Sequence, residues 1–214
     1  MAELTTIAPL TDGDLLRAVD ILADGDPDLA GIVGRYGPPP MWAREPGFGT
    51  LVHIVLEQQV SLASAQAAFD RLRAAADPLT PSRFLAFDDR ELLAIGFSRQ
   101  KARYVRELAR TVVDGRLDID GLADLDDAAV HRTLVSLTGV GPWTASVYLL
   151  MVLLRPDVWP ASDIALATAV AAVKGLPARP NEAEMASLAE AWRPWRSVAA
   201  RLFWHDYLSR RARS

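Results

Sequence analysis

Apolar residues recur along this chain at the three- and four-residue spacing of an amphipathic helix, in segments separated by Gly, Pro or Asp. No segment shows the two-residue alternation that is typical of a half-buried strand. The pattern predicts helices at about 13–24, 28–36, 47–57, 61–76, 88–94, 98–114, 126–136, 142–154, 163–174, 181–191 and 195–210. We therefore expect an all-α fold.

Local signals mark where these helices begin and where the chain is irregular. Ser61, Ser98 and Asp163 each stand before an apolar run, at the place where an N-cap oxygen is wanted. The prolines between Gly37 and Pro46 remove backbone donors and restrict the residues before them. This stretch is therefore interpreted as a loop that links an N-terminal segment to the main body.

Composition excludes several classes of site. The chain has 214 residues, 50% of them hydrophobic, which is enough to form a core in one domain or two small lobes. It has no cysteine, which excludes disulfides, thiolate zinc sites and a cysteine-ligated iron-sulfur cluster. His53, His131 and His205 do not have the spacing of metal ligands.

Hydropathy and charge bear on location and partner. No apolar run reaches the roughly 18 residues of a membrane span, and the first residues carry acids where a signal peptide needs bases, so we expect a soluble, cytoplasmic protein and no membrane partner. The net charge of −4 argues weakly against a nucleic-acid partner. Bases nevertheless cluster at 99–110 and 193–213, so one face could be basic.

The most informative segment is Leu-Thr-Gly-Val-Gly-Pro-Trp-Thr-Ala at 137–145, between two helical patterns. Gly139 and Gly141 allow a sharp turn and let bare N–H groups approach a ligand. Pro142 suits the first turn of the next helix, whose positive end would attract an anion such as a phosphate. A Gly-x-Gly alone is explained better by a plain tight turn between helices.

The full pattern resembles the hairpin of the helix-hairpin-helix DNA glycosylases, the HhH-GPD superfamily. The resemblance implies duplex DNA with a damaged base as the partner, and a hairpin that binds the DNA backbone. It also implies no protein-bound cofactor except a Na⁺ or K⁺ ion on main-chain atoms. The backbone residues would be Thr138, Gly139, Val140, Gly141 and Thr144, with the ion at Leu137 and Val140.

The same resemblance implies that Asp163, some twenty residues further on, is catalytic. Breaking a glycosidic bond develops positive charge on the sugar, and a carboxylate stabilises that charge or takes a proton from the attacking water. Without the motif, Asp163 would be interpreted only as a helix cap worth about 1 kcal/mol. Asp157 lies out of register with the family pattern.

One departure from the strand-cleaving members is informative. Those enzymes place a nucleophilic lysine two residues after the second hairpin glycine, where this chain has Trp143. Lys101 and Lys174 are the only lysines, and both lie outside the motif. The chain therefore resembles the monofunctional alkylbase branch, the 3-methyladenine DNA glycosylase II type.

An electron-poor alkylated purine stacks well on aromatic faces, although most buried aromatic residues are simply core. Aromatic stacking and the family resemblance together predict a base pocket of Gln58, Leu62, Trp143, Tyr148 and Trp192. The resemblance also implies that Gln59 is the wedge that fills the gap left by the flipped base. An ordinary polar turn at 56–64 is the alternative. Arg99 and Lys101 are predicted to add a backbone contact, against the alternative of a solvated helix face.

Together these inferences predict two helical lobes, at about 1–50 plus 160–214 and at about 51–159, around a cleft and without an N-terminal β-domain. The predicted monomer flips alkylated purines of the 3-methyladenine type out of duplex DNA and hydrolyses the glycosidic bond in base excision repair. Two alternatives are a glycosylase for another lesion, such as hypoxanthine or uracil, and a non-catalytic DNA-binding paralogue.

Overall fold

The computed structural model describes residues 8–213, and this part of the chain is helical without any strand, which confirms the all-α prediction. Residues 1–7 and Ser214 lie outside the described residues. Residues 1–7 belong to the N-terminal segment that is interpreted as unlike a signal peptide. Among the helices from residue 8 to residue 213, none is long and apolar enough to cross a membrane.

The helices follow one another with short connections. In chain order they are α1 (Asp12–Gly25), α2 (Pro27–Tyr36), α3 (Phe48–Glu57), α4 (Leu62–Ala75), α5 (Pro81–Leu85), α6 (Asp89–Ile95), α7 (Arg99–Val113), α8 (Asp127–Val135), α9 (Pro142–Met151), α10 (Ile164–Val173), α11 (Glu182–Ala189) and α12 (Arg196–Arg211), with short 3₁₀ helices at Asp120–Asp124 and Glu190–Trp192.

Most of these helices lie where the apolar pattern predicts them, and the exceptions have local causes. Helix α5 and the 3₁₀ helix at Asp120–Asp124 are only five residues long, too short for a repeat to be visible. Helix α9 ends at Met151, three residues before its predicted end. Leu154 has a φ of +52°, so the apolar run after α9 turns away instead of continuing as helix.

The chain divides into two compact units, of which the first is Arg44–Tyr148. The described part of the second comprises residues 8–43 and 149–213. The predicted boundaries, near 50 and 160, lie a short way further along the chain. Arg44 joins the first unit because it pairs with Glu57 of α3, at 2.8 and 2.9 Å. The end of α9 joins the second unit because the Leu150 carbonyl accepts a hydrogen bond from Arg201, at 2.7 Å.

In the first unit, α3 packs on α4 and α7, and α5 packs on α7. Its core includes the fully buried side chains of Leu51, Ile54, Leu72 and Phe84. The turn after α3 and the hairpin between α8 and α9 both belong to this unit.

In the second unit, α12 packs on α1, α2 and α10. Arg201 of α12 is fully buried and donates to the main-chain carbonyls of Met41, Leu150 and Ser197, at 2.8, 2.7 and 3.0 Å. Burial lowers the pKa of Arg201 to about 10, so the guanidinium is still charged at neutral pH. The Arg201 side chain therefore connects the loop before α3, the end of α9 and α12 itself.

Candidate functional site

The predicted hairpin is present between α8 and α9. The Val140 N–H donates to the Leu137 carbonyl at 3.1 Å, which closes the turn. Helix α9 begins at Pro142, as the sequence predicts, and its first helical hydrogen bond joins the Ala145 N–H to the Gly141 carbonyl at 3.1 Å. The N-terminus of a ten-residue helix therefore follows directly on the turn.

The two hairpin glycines have different reasons to be glycine. Gly139 has a φ of +84°, and a Cβ there would lie 2.6 Å from the Cβ of Tyr104 and closer still to its ring. Gly141 has an ordinary φ, and a Cβ there would meet no atom within 4 Å. The fold therefore requires glycine at 139 but not at 141. Glycine would be required at 141 if a bound molecule approached the backbone closely there.

Gln58, a predicted base-pocket residue, supports the hairpin from the end of α3. Its Nε2 donates to the Gly139 carbonyl and to Thr144 Oγ1, both at 2.9 Å. Thr144, a predicted backbone contact, is 1% exposed. The structure thus brings three predicted site residues together, and the amide nitrogen of Gln58 has a structural role there. The hydroxyl of Thr144 faces Gln58 within the unit, which corrects its assignment to the DNA surface.

The neighbouring residues of this turn are more open. Gln59, the predicted wedge, is exposed and has a φ of +57°, a conformation that is uncommon outside glycine and is often found at functional sites. Leu62 is 58% exposed and lines an open groove of about 590 Å³ with His53, Glu57 and Gln66. The wedge role of Gln59 and the pocket role of Leu62 stay predictions.

The two aromatic residues of α9 differ in burial. Trp143 lies in the first turn and is half-buried, while Tyr148 is fully buried. Burial, with a smaller contribution from the charge of Asp120, raises the pKa of Tyr148 to about 12. Its hydroxyl has no hydrogen-bond partner between residues 8 and 213. Tyr148 is therefore a core residue of the first unit, and its assignment to the base pocket is corrected.

Of the two predicted basic contacts, Arg99 is exposed and Lys101 is half-buried. Lys101 donates from Nζ to the Leu56 carbonyl at 2.6 Å, near the end of α3, and burial lowers the pKa of its ammonium group. This contact gives Lys101 a structural role, and its predicted contact with the DNA backbone stays a prediction. Arg99 is exposed at the first position of α7, behind the N-cap Ser98.

Asp163 is the N-cap of α10, as the sequence predicts. Its Oδ1 accepts a hydrogen bond from the Leu166 N–H at 2.6 Å and one from the indole N–H of Trp204 at 3.3 Å. The side chain is half-buried. A backbone donor and an aromatic donor therefore converge on one oxygen and orient the carboxylate.

Trp204 contacts Asp163 and belongs to the candidate site, but sequence reasoning gave the role of its region to Trp192. Trp192 is 3% exposed, and its indole N–H donates to Asp26 at 2.9 Å. Its ring packs against Trp159 and Phe203, with centroids 5.1 and 5.0 Å away. Trp192 therefore belongs to the core of the second unit, which corrects its assignment to the base pocket. No local signal links Trp204 to a residue 41 positions earlier.

The contact with Trp192 is part of a half-buried polar cluster. Lys174 Nζ donates to both oxygens of Asp26 at 2.7 Å. Burial alone would raise the pKa of Asp26, but the hydrogen bonds from Lys174 and Trp192 outweigh it, so this pKa is lowered. The cluster fixes the orientation of the indole ring.

No group of His, Cys, Asp or Glu that could hold a metal ion occurs among residues 8–213. The predicted alkali cation would be held by main-chain carbonyls, a different kind of site. The Leu137 carbonyl accepts the Val140 N–H and keeps a second lone pair. The alkali cation stays a prediction.

Comparison with known proteins decides the family. The family model described as "HhH-GPD superfamily base excision DNA repair protein" matches residues 52–194, which include the hairpin and Asp163. The chain belongs to the HhH-GPD superfamily.

Individual HhH-GPD relatives are similar over much of the chain. A Mycobacterium tuberculosis protein, "Probable bifunctional transcriptional activator/DNA repair enzyme AlkA", is 34% identical over 90% of this chain and 40% of its own length. The "Putative DNA-3-methyladenine glycosylase YfjP" of Bacillus subtilis is 29% identical over 59% of this chain and 44% of its own length. This chain thus spans less than half of either curated relative.

A solved structure matches more completely. The Schizosaccharomyces pombe 3-methyladenine DNA glycosylase Mag1, in complex with abasic DNA, superposes with a TM-score of 0.81 at 25% identity. The match covers 88% of this chain and 95% of that chain. The HhH-GPD fold is therefore the fold of this protein.

Proposed function

We propose that this protein is a monofunctional DNA glycosylase that removes alkylated purines from duplex DNA in base excision repair. The observation that carries the proposal is the Asp163 carboxylate, which two donors orient at the start of α10. It follows the hairpin at the spacing of the HhH-GPD family. The relatives named as 3-methyladenine glycosylases support the choice of substrate.

The hairpin would bind the DNA backbone. Its N–H groups lie at the positive end of α9, where a phosphate is stabilised by unpaired donors and by the helix dipole. Gly141 leaves open space beside the main chain, and Thr138 is exposed. A Na⁺ or K⁺ ion on the carbonyls of this turn would add positive charge between the turn and a phosphate.

The chemistry proposed for Asp163 is hydrolysis at C1′ of the damaged nucleotide. The bond between C1′ and the base nitrogen breaks, and the base leaves with the electron pair. Water adds to C1′, and its proton passes to the carboxylate or to the departing base. The charged carboxylate stabilises the oxocarbenium character of the sugar while this happens.

The product would be an abasic site in an intact strand. An amine nucleophile would be needed to cut the strand through a covalent intermediate. Trp143 stands at the position of that lysine. The ammonium group of Lys101 donates a hydrogen bond to the Leu56 carbonyl, and that of Lys174 donates hydrogen bonds to Asp26 and Asp28. Neither ammonium group is placed for such an attack.

The decisive experiment compares the wild-type protein with Asp163→Asn on methylated duplex DNA and on duplexes that contain hypoxanthine or uracil. Asn keeps a side-chain oxygen for the cap but removes the charge. Base release should fall by about 10²- to 10⁴-fold, while DNA affinity is retained. Strand breaks should appear only after alkali treatment.

Asp126→Asn is the matched control, because Asp126 caps α8 and accepts from the Ala129 N–H at 2.7 Å. This variant should keep wild-type activity. Release of only uracil or hypoxanthine would mean that the substrate is that lesion and not an alkylated purine. Tight DNA binding without release of any base would refute the enzyme and favour the non-catalytic paralogue. The monomeric state stays a prediction, and so does the cytoplasmic location, which in a bacterium would be at the nucleoid.

A further inference from the structure

The basic residues of α7 fall into two groups. Towards its C-terminal end, Arg106 pairs with Asp89 and also donates to the Phe87 carbonyl at 3.0 Å, and Arg110 pairs with Glu107 at 2.8 Å. Towards its N-terminal end, Arg99 and Arg103 are exposed and have no acidic partner among residues 8–213.

The chain as a whole is acidic, with 27 Asp and Glu residues against 23 Lys and Arg residues. Two exposed arginines one helical turn apart on an otherwise acidic protein make a local positive patch. Such a patch attracts a polyanion even when the net charge is negative.

The patch is physically joined to the hairpin through Tyr104. The guanidinium of Arg103 lies over the Tyr104 ring, 5.5 Å from its centroid. The same ring fills the space where Gly139 has no side chain. Gln100 donates a hydrogen bond to the Tyr104 hydroxyl, which fixes the far end of the ring. One aromatic ring therefore lies between the guanidinium and the hairpin backbone.

We propose that Arg103, supported by the Tyr104 ring and accompanied by Arg99, binds a phosphate of the same DNA backbone that the hairpin holds. The proposal rests on the proposed function and extends it by a second anion site, on α7. A guanidinium that is held over an aromatic ring keeps its donors directed outwards and loses less entropy when it binds. Because it contacts phosphate, Arg103 would contribute equally to damaged and undamaged DNA.

The test is the salt dependence of DNA affinity, measured by fluorescence anisotropy on an undamaged duplex and on a duplex with an abasic-site analogue. Each lost phosphate contact lowers the slope of log K against log salt concentration by about 0.9. Arg103→Ala and Arg99→Ala should each show this decrease on both duplexes, while Arg103→Lys should keep the wild-type slope. Arg110→Ala is the matched control on the same helix and should leave the slope unchanged.

The outcomes separate this inference from the function on which it rests. If the wild-type protein binds DNA and Arg103→Ala has the slope of Arg110→Ala, the α7 site is refuted and the glycosylase proposal stands. If the wild-type protein binds no duplex DNA, both proposals fail. Circular dichroism melting of each variant excludes unfolding as the cause of a changed slope.

Discussion

The hairpin of the first unit and the carboxylate of the second unit are built on opposite principles. The hairpin would act through its main chain, and its side chains serve to hold that chain in shape: Gln58 bonds to the Gly139 carbonyl, and Tyr104 fills the space beside Gly139. In the second unit a single side chain, Asp163, would act, and the main chain and Trp204 hold it in position.

This contrast predicts where each unit is sensitive to mutation. In the hairpin, a change of backbone shape does the damage, and many side-chain changes that preserve the shape are harmless. Around Asp163, the loss of one donor affects the chemistry while the fold survives. The following substitutions test this contrast, from the largest expected effect to the smallest.

Gly139→Ala should have the largest effect, a loss of about 3 kcal/mol in the free energy of unfolding. The added methyl group would overlap Tyr104, and the alanine would also have to adopt a φ of +84°. Gly141→Ala is the control, since its methyl group meets no atom within 4 Å. It should unfold like the wild type and bind DNA more weakly. Urea denaturation and DNA titration measure the two effects, and equal destabilisation by both substitutions would contradict this account of the hairpin.

Trp192→Phe should lower the free energy of unfolding by about 2 kcal/mol, because it removes a hydrogen bond to the charged Asp26 inside the second unit. The turnover of the folded protein should be unchanged. A double-mutant cycle with Asp26→Asn should reveal this hydrogen bond as a coupling energy. A fall in base release without loss of stability would instead restore Trp192 to the base pocket.

Trp204→Phe should lower kcat by about tenfold, or about 1.4 kcal/mol, at nearly constant KM. Phenylalanine keeps an aromatic ring but cannot donate to Asp163, so the carboxylate loses one of the groups that orient it. Trp159→Phe is a matched control, because the buried Trp159 Nε1 has no hydrogen-bond partner in the described chain. An unchanged kcat in Trp204→Phe would show that Trp204 does not position Asp163.

The helices and the motif could be predicted from the sequence because their causes are local. Apolar spacing defines the helices, and Ser61, Ser98 and Asp163 cap α4, α7 and α10 as predicted. Pro142 begins α9 because proline suits the first position of a helix. The hairpin could be found because its glycines and its proline stand next to one another in the chain.

Roles that depend on distant partners could not be predicted in this way. Lys101 stands in a basic cluster, but its ammonium group is bonded to a carbonyl 45 residues earlier. Trp192 and Trp204 are both tryptophans downstream of Asp163, and only the fold decides which of them reaches it. The sequence indicates which residue types are available, while long-range packing assigns their contacts.

The smallest effect concerns His53, which lies on the groove side of the first unit. Its ring stacks on Phe69 at a centroid distance of 4.3 Å, and its Nε2 lies 3.6 Å from Glu57. Burial lowers the pKa of His53, and nearby Arg44 also lowers it, although Glu57 and Asp70 act in the opposite direction. In the unfolded chain the histidine has a pKa of about 6.5 and takes up a proton more readily.

The free energy of unfolding should therefore be constant above about pH 6.5 and should fall as the pH drops from there towards the folded-state pKa of His53. The resulting decrease in Tm should be about a few degrees. His53→Gln cannot be protonated and should flatten the curve of Tm against pH between about 7.5 and 5. It will also lose the stacking on Phe69, which lowers Tm at every pH, so the slope and not the absolute Tm is the informative quantity. His131→Gln is the control for the removal of any histidine. If His53→Gln has the same slope as the wild type, His53 accepts a proton as easily in the folded protein as in the unfolded chain.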